Sequence, residues 1–166
     1  VKGGGPGIGT ERAGGVGDID DGFEALYRRE HLPMLRVAHL LLDSTDAAEE
    51  AVHDAFAKVY ERWDRIDDHG AYLRRCVVNR CRDVQRRRRL ERDRRPSPTA
   101  SYADLGACEL LDALARLPIR QRAAVVLRYY EGLSEAEVAA ALGVPVGTVK
   151  STVSRALTQL REAVER

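Results

Sequence analysis

The sequence of 166 residues predicts an all-α protein, with two small helical domains joined by a flexible linker. Near the carboxyl end, Val149, Val153, Ala156, Leu157 and Leu160 recur at i, i+4, i+7, i+8 and i+11, the stripe of a helix that buries one face. Near the amino end, Phe23, Tyr27, Met34, Ala38 and Leu41 repeat at helical spacing, broadened by Leu26, Leu35 and Leu42. Between them, residues 91–107 (ERDRRPSPTASYADLGA) carry two prolines and one isolated aromatic, a composition with little to give a core. The chain divides accordingly into a glycine-rich tail (1–22), a first helical domain (23–90), the linker (91–107) and a second helical domain (108–166).

The tail contains GGGPGIG, whose Gly-x-Gly spacing superficially suggests a phosphate loop. No strand precedes it, no helix is expected directly after it and no Gly-Lys-Ser/Thr closes it, so glycine-rich disorder is the better reading. In the first domain, Pro33 interrupts the apolar stripe and predicts a kink or a restart. Asp43-Ser44-Thr45 is a polar break, and Asp46 with Glu49 has the spacing of a helix cap. The helix that follows runs to about Trp63 and buries Val52, Phe56, Val59 and Tyr60, with an acidic opposite face. A loop over residues 65–70 leads into a basic helix from Ala71 to about Leu90, with Tyr72, Leu73, Cys76, Val77 and Val84 as its apolar positions.

In the second domain, residues 109–117 begin the helical part, and Pro118 suits the first turn of the next helix. Val125, Val126 and Tyr129 continue its apolar run, which Gly132 ends. Ser134 and Glu137 form a capping box, Val138, Ala139 and Leu142 share a face, and Gly143 stops that helix. After Pro145 the last helix opens. Gly147, Ser151, Ser154, Arg155 and Thr158 lie opposite its apolar stripe, with Lys150 and Thr152 on the flanks. Two helices joined by a short turn, the second offering hydroxyls and cations, fit a helix-turn-helix that enters a DNA major groove. The pattern by itself also fits a helical hairpin with a solvated polar face.

Charge is segregated although its total is nearly balanced, at 27 basic and 26 acidic residues. From Asp43 to Asp68 acids outnumber bases nine to three, whereas Arg74 to Arg95 holds eleven arginines against three acids. Such neighbouring surfaces imply partners of opposite character, and the arginine helix suits nucleic-acid phosphates. No catalytic constellation is visible: His31, His39, His53 and His69 lack metal-binding spacing, and no serine sits on a nucleophile elbow. The sequence therefore reads as a non-enzyme that needs no cofactor or metal and has no small-molecule substrate. Cys76, Cys81 and Cys108 are odd in number and form no Cys-x-x-Cys, so they read as reduced thiols in a cytoplasmic protein. No apolar run of about 18 residues predicts membrane insertion, and no signal region opens the chain.

LPIRQRAAVVLRYYEGLSEAEVAAALGVPVGTVKS…SRAL resembles the promoter-binding carboxyl-terminal domain of the extracytoplasmic-function (ECF) sigma factors of bacterial RNA polymerase, in the sigma-70 superfamily. The likeness, which points towards the actinobacterial SigE-like group, extends from about Phe23 to Ala163. DAAEEAVHDAFAKVYERW is similar to the family's helix that docks on the clamp coiled coil of core polymerase, which implies docking through Asp46, Glu49, Glu50, His53 and Asp54. Ala51 and His53 depart from the family pattern, standing where Leu and Gln are usual. AYLRRCVVNRCRDVQRRRR is similar to the segment that reads and melts the −10 promoter element, which implies roles for Tyr72, Asn79, Arg80, Asp83, Arg86 and Arg87. The loop at 65–70 matches the family's base-capturing loop, and Tyr72 stands where Trp is commoner. In the last helix the resemblance implies −35 element contacts from Thr148, Lys150, Ser151, Thr152, Ser154 and Arg155, with Thr152 where many relatives carry Arg. The partners implied are core RNA polymerase (clamp coiled coil and flap), promoter DNA and an anti-sigma factor. The competing class is a stand-alone helix-turn-helix regulator, which leaves the acidic helix beside the arginine helix poorly explained.

Overall fold

The computed structural model describes residues 16–94 and 109–165. The glycine-rich stretch 1–15 and linker residues 95–108, Cys108 included, lie outside the described residues.

The first half is three helices, α1 (Val16–Leu42), α2 (Thr45–Glu61) and α3 (His69–Arg94), each packed on the other two. Helix α1 starts earlier than the sequence suggests, so residues 16–22 belong to a helix and not to the tail. Gly22 explains part of this, because a β-carbon there would stand 2.9 Å from the Trp63 ring, and glycine alone admits that approach. Asp20 adds a second tie by accepting a hydrogen bond from the Tyr60 hydroxyl at 3.1 Å. Pro33 lies inside α1, which is one helix and does not restart. The lost backbone bond is outweighed by the packing of Met34, Val37, Ala38 and Leu41, all fully buried, at roughly 1.5–3 kcal/mol for each large side chain.

Helix α1 ends at Asp43, whose left-handed φ of 52° turns the chain while its N–H donates to His39 O at 3.0 Å. Ser44, rather than Asp46, caps α2: its backbone is extended and its Oγ accepts from Ala47 N. Ala48, Ala51, Val52, Ala55, Phe56 and Val59 form the buried side of α2. Tyr60, expected inside, is 47% exposed, because its ring stacks edgewise on Phe23 at the rim with the hydroxyl turned to Asp20. A 3-10 turn, Trp63–Arg65, replaces the predicted last turn of α2. Helix α3 begins at His69 and continues to Arg94, so residues 91–94 are helix and not linker.

The second half comprises α4 (Glu109–Arg116), α5 (Ile119–Val125), a π-helical turn (Val126–Tyr130), α6 (Glu135–Leu142) and α7 (Val146–Val164). Pro118 is the cap residue before α5, one position earlier than predicted. In the π turn Glu131 N donates to Val126 O at 3.1 Å, an i to i−5 bond. The wider turn shifts the helical register and carries Tyr129 and Tyr130 outward, so Tyr129 is 61% exposed and not part of the apolar run. The capping box between Ser134 and Glu137 is complete. Gly143 takes a left-handed φ of 65°, the conformation the tight turn into α7 requires. Val149, Val153, Ala156 and Leu160 are the buried stripe of α7, with Leu157 half-buried beside them.

The two halves pack together. Helix α3 lies along α6 and touches α5, and α1 reaches α4, α5 and the π turn. One buried cluster runs from Leu26 through Leu41, Leu73 and Cys81 to Leu127, Val138 and Val149. A smaller one, Ala113, Leu117, Val125, Ala156 and Leu160, ties α4 to α7. Cys76 and Cys81 are free and buried, and burial pushes the Cys81 thiol up to about 12, as expected of inert structural thiols.

The Glu131 carboxyl is raised above its ordinary 4.5 by burial first and by Glu30 of α1 second, against the opposing pull of Arg74. The folded chain thus favours its neutral form, so its contribution to stability is complete below pH 4.5 and lost as pH rises through the raised value. Glu131→Gln should therefore flatten the dependence of stability on pH above about 4.5, as read from urea denaturation at a series of pH values.

Candidate nucleic-acid interface

Three surfaces bear the residues singled out in the sequence. The first is α7. Its buried stripe seats it against α5 and α6, so Thr148, Lys150, Ser151, Ser154 and Arg155 face solvent; Thr152 is half-buried at the edge. The polar groups bond back to their own helix. Ser151 Oγ donates to Thr148 O at 3.0 Å, Arg155 Nε to Ser151 O at 3.2 Å, and Thr158 Oγ1 to Ser154 O at 3.1 Å. These exposed bonds are easily exchanged for base edges or phosphates.

The second surface is the amino-terminal part of α3 with the loop before it. The loop is held rigidly: the His69 ring stacks on Trp63 with centroids 3.7 Å apart, and its Nε2 lies 3.0 Å from Trp63 O. Asp68 Oδ1 accepts from Ala71 N at 2.9 Å, securing the first turn of α3. Arg62, Arg65, Tyr72, Arg74 and Arg75, together with Asp67 and Asp68, line a cleft of about 500 Å³, and Arg62 Nη1 donates to the Tyr72 hydroxyl at 3.3 Å. An aromatic ring among guanidinium groups can stack an unpaired base and hold its phosphate. Tyr72, Asn79, Asp83 and Arg86 fall at i, i+7, i+11 and i+14, so one stripe runs from the cleft along α3. Asn79, Asp83, Arg86 and Arg87 are exposed, with Arg86 3.5 Å from Asp83.

Arg80 faces elsewhere. Its Nη2 donates to Glu50 Oε1 at 2.8 Å, and its Nε lies 2.7 Å from Asp54 Oδ2 as an ion pair not aligned into a hydrogen bond. It therefore binds α3 to the third surface, the outer side of α2. There Asp46, Glu49, Glu50 and His53 are exposed and Asp54 is half-buried.

Two features of this region escape sequence reasoning. Glu137 and Ala140 of α6 form a wall of the cleft, a juxtaposition that only the packing of the two halves creates. Arg122 is buried at 5% exposure, although its place on the apolar stripe, three after Ile119 and four before Val126, was a visible anomaly. Among the described residues no group of three or more His, Cys, Asp or Glu is arranged to hold a metal, and no helix is long and apolar enough to cross a membrane.

Comparison with known proteins gives this architecture its family. Residues 26–91 match the sigma-70 region 2 model and residues 109–160 the sigma-70 region 4 model. The chain is 38% identical over 149 residues to the RNA polymerase sigma-E factor of Streptomyces coelicolor, covering 84% of each chain. It is 35% identical over 154 residues to the ECF RNA polymerase sigma factor SigM of Mycobacterium tuberculosis, covering 83% of this chain and 74% of that one. In structure it is similar to the sigma factor RpoE of Bartonella quintana, solved in complex with the anti-sigma factor NepR. That match has a TM-score of 0.73 at 26% identity, over 87% of this chain and 98% of the other. The chain belongs to the ECF sigma factors of RNA polymerase.

The Arg80 pairing predicts a modest coupling, because both carboxylates are more than a third exposed. A double-mutant cycle with Arg80→Ala and Asp54→Ala should return about 1 kcal/mol by urea denaturation; a value near zero would make the pair incidental.

Proposed function

We propose that this sigma factor docks on core RNA polymerase through the outer side of α2, using Asp46, Glu49, Glu50, His53 and Asp54. The −10 promoter element is engaged by the α3 stripe and its cleft, where Tyr72 stacks a captured base, Asn79 and Asp83 meet base edges, and Arg86 and Arg87 hold phosphates. Arg80 reaches DNA only by leaving its two carboxylates, so we assign it first to organising the docking surface. The −35 element is engaged by Thr148, Lys150, Ser151, Thr152, Ser154 and Arg155 of α7. The observation that carries this reading is the coexistence, in one chain, of a buried-stripe reading helix and a separate cleft that sets Tyr72 among four arginines. A stand-alone regulator has use for the first and none for the second.

The work is binding and positioning rather than bond-making, and it takes place in the cytoplasm, where the polymerase is. Extraction and stacking of a base costs a few kcal/mol, which contacts made only to the single strand must supply. A match to a sigma factor solved with NepR also supports an anti-sigma factor as a further partner.

Run-off transcription on pooled promoter fragments tests this reading, with purified core polymerase and the chain added separately and together. Discrete transcripts should need both components; a specific shift of duplex DNA by the chain alone, without transcripts, would favour the stand-alone regulator. In the same assay Glu49→Lys should depress transcription through loss of core association while helical content stays unchanged. Glu50 is the poorer probe, since its loss also releases Arg80. Arg155→Ala should cost about 1–3 kcal/mol of promoter discrimination; unchanged preference would mean that another face of α7 reads the DNA.

A further inference from the structure

Two side chains just past α2 are each joined to one in the first turn of α3. Arg62 Nη1 donates to the Tyr72 hydroxyl at 3.3 Å, and the His69 ring is stacked on Trp63 with its plane 21° from parallel. Between these clamps runs the loop at 65–70, which lines the cleft through Arg65, Ile66, Asp67 and Asp68. One carbonyl holds both ends of the loop: Trp63 O accepts from Ile66 N at 3.3 Å and lies 3.0 Å from His69 Nε2. A carbonyl can only accept, so the hydrogen of the neutral ring is assigned to Nε2. Trp63 is itself confined by α1. Phe23 meets its ring edge-on with centroids 5.9 Å apart, and a β-carbon at Gly22 would stand 2.9 Å from Trp63 Cζ2. All of these residues belong to the first half of the chain, so the arrangement does not depend on what lies across the seam between the halves.

We propose that His69 is a positioning residue for base capture: seated on Trp63, it fixes the loop at 65–70 and the first turn of α3 before DNA arrives. This role rests on the function proposed above, in which Tyr72 stacks the captured base. His69 and Tyr72 are three residues apart in α3 and so are neighbours on one side of the helix, where a shift of the first moves the second. Asp68 couples them further, its Oδ1 accepting from Ala71 N at 2.9 Å and its backbone oxygen from Tyr72 N at 3.0 Å. Extraction of a base is already costly, and ordering a loose loop at the same moment would add to the cost. A loop fixed beforehand adds nothing. His69 itself touches no base; its effect passes through the loop and Tyr72.

Trp63 is the sole tryptophan of the chain, so its fluorescence reports on the stack directly. Two variants disturb the stack without altering a proposed DNA contact: His69→Ala removes the ring, and Gly22→Ala presses on Trp63 from α1. Alanine is the better helix former, so the second variant decides the matter should the first fail to fold by circular dichroism. In the full chain without polymerase, both should shift Trp63 emission, and His69→Ala should also raise its quenching by acrylamide. Unchanged fluorescence in a helical variant would overturn the stack. With core polymerase, run-off transcription is then compared on a duplex promoter recovered as above and on the same promoter with mismatches across its −10 element. His69→Ala should lower duplex transcription about five- to tenfold, the factor expected from losing one hydrogen bond and one ring stack, with Gly22→Ala acting in the same direction. Mismatches remove the cost of extraction, so on that template the loss should stay below about twofold. Equal loss on both templates, or none on either, would overturn the positioning role while leaving the sigma reading intact. An absence of wild-type transcripts from both templates would instead overturn the sigma reading, and the positioning role with it.

Discussion

The structure depends on how the carboxyl end of α1 is satisfied. A helix leaves its last carbonyls without intrahelical partners, and here those of Leu41 and Leu42 face the interior. Three long side chains reach them: Gln85 to Leu41 O at 3.2 Å, Arg88 to Leu42 O at 2.9 Å and Arg122 to Leu41 O at 3.0 Å. Two come from α3 and one from α5, so one unsatisfied helix end becomes the junction of both halves. The cations also complement the negative end of the α1 dipole. Asp43, turned by its left-handed φ, presents its carboxylate to Arg122 and opens the extended Ser44 that caps α2. Helix termination, inter-helix packing and the joining of the halves are solved within four residues.

Local rules were legible in the sequence, and long-range pairing was not. The capping box at Ser134 and Glu137, the stop at Gly143 and the stripe of α7 each depend on residues a few positions apart, and each stands as read. Ser44 was passed over for Asp46 because both residues favour caps, and the choice falls on whichever backbone is extended. The π turn at Val126–Tyr130 has no sequence signature, so Tyr129 was placed inside by a periodicity the chain had abandoned. The helical start at Val16 turns on Trp63 accepting Gly22, some forty residues away. For the candidate interface, α7 was legible because its two faces differ in composition. The cleft was not, since its walls belong to different helices and only packing makes them neighbours.

The segregation of charge acquires a second meaning from Arg80. Acidic and basic stretches imply separate partners, yet the Arg80 head lies against Glu50 and Asp54, so the two surfaces are joined by a side chain that belongs to both. An event at the acidic face changes the company of Arg80, and with it the charge offered along α3. The coupling is bounded by the exposure of the carboxylates, which keeps such pairs weak in water.

Arg122 differs from Arg80 in depth, and depth changes its role. A surface pair can exchange with water at little cost, but a guanidinium at 5% exposure must be resolvated as a unit, together with the carbonyl and carboxylate it serves. Opening the seam is thus governed by whether new contacts to the separated halves repay the apolar surface exposed and the polar bonds broken. A partner that engages α2, the α3 stripe and α7 at once can supply them, because each contact made after the first is made at high effective concentration. The same packing gives this small chain a shared core and leaves the polar face of α7 open to solvent.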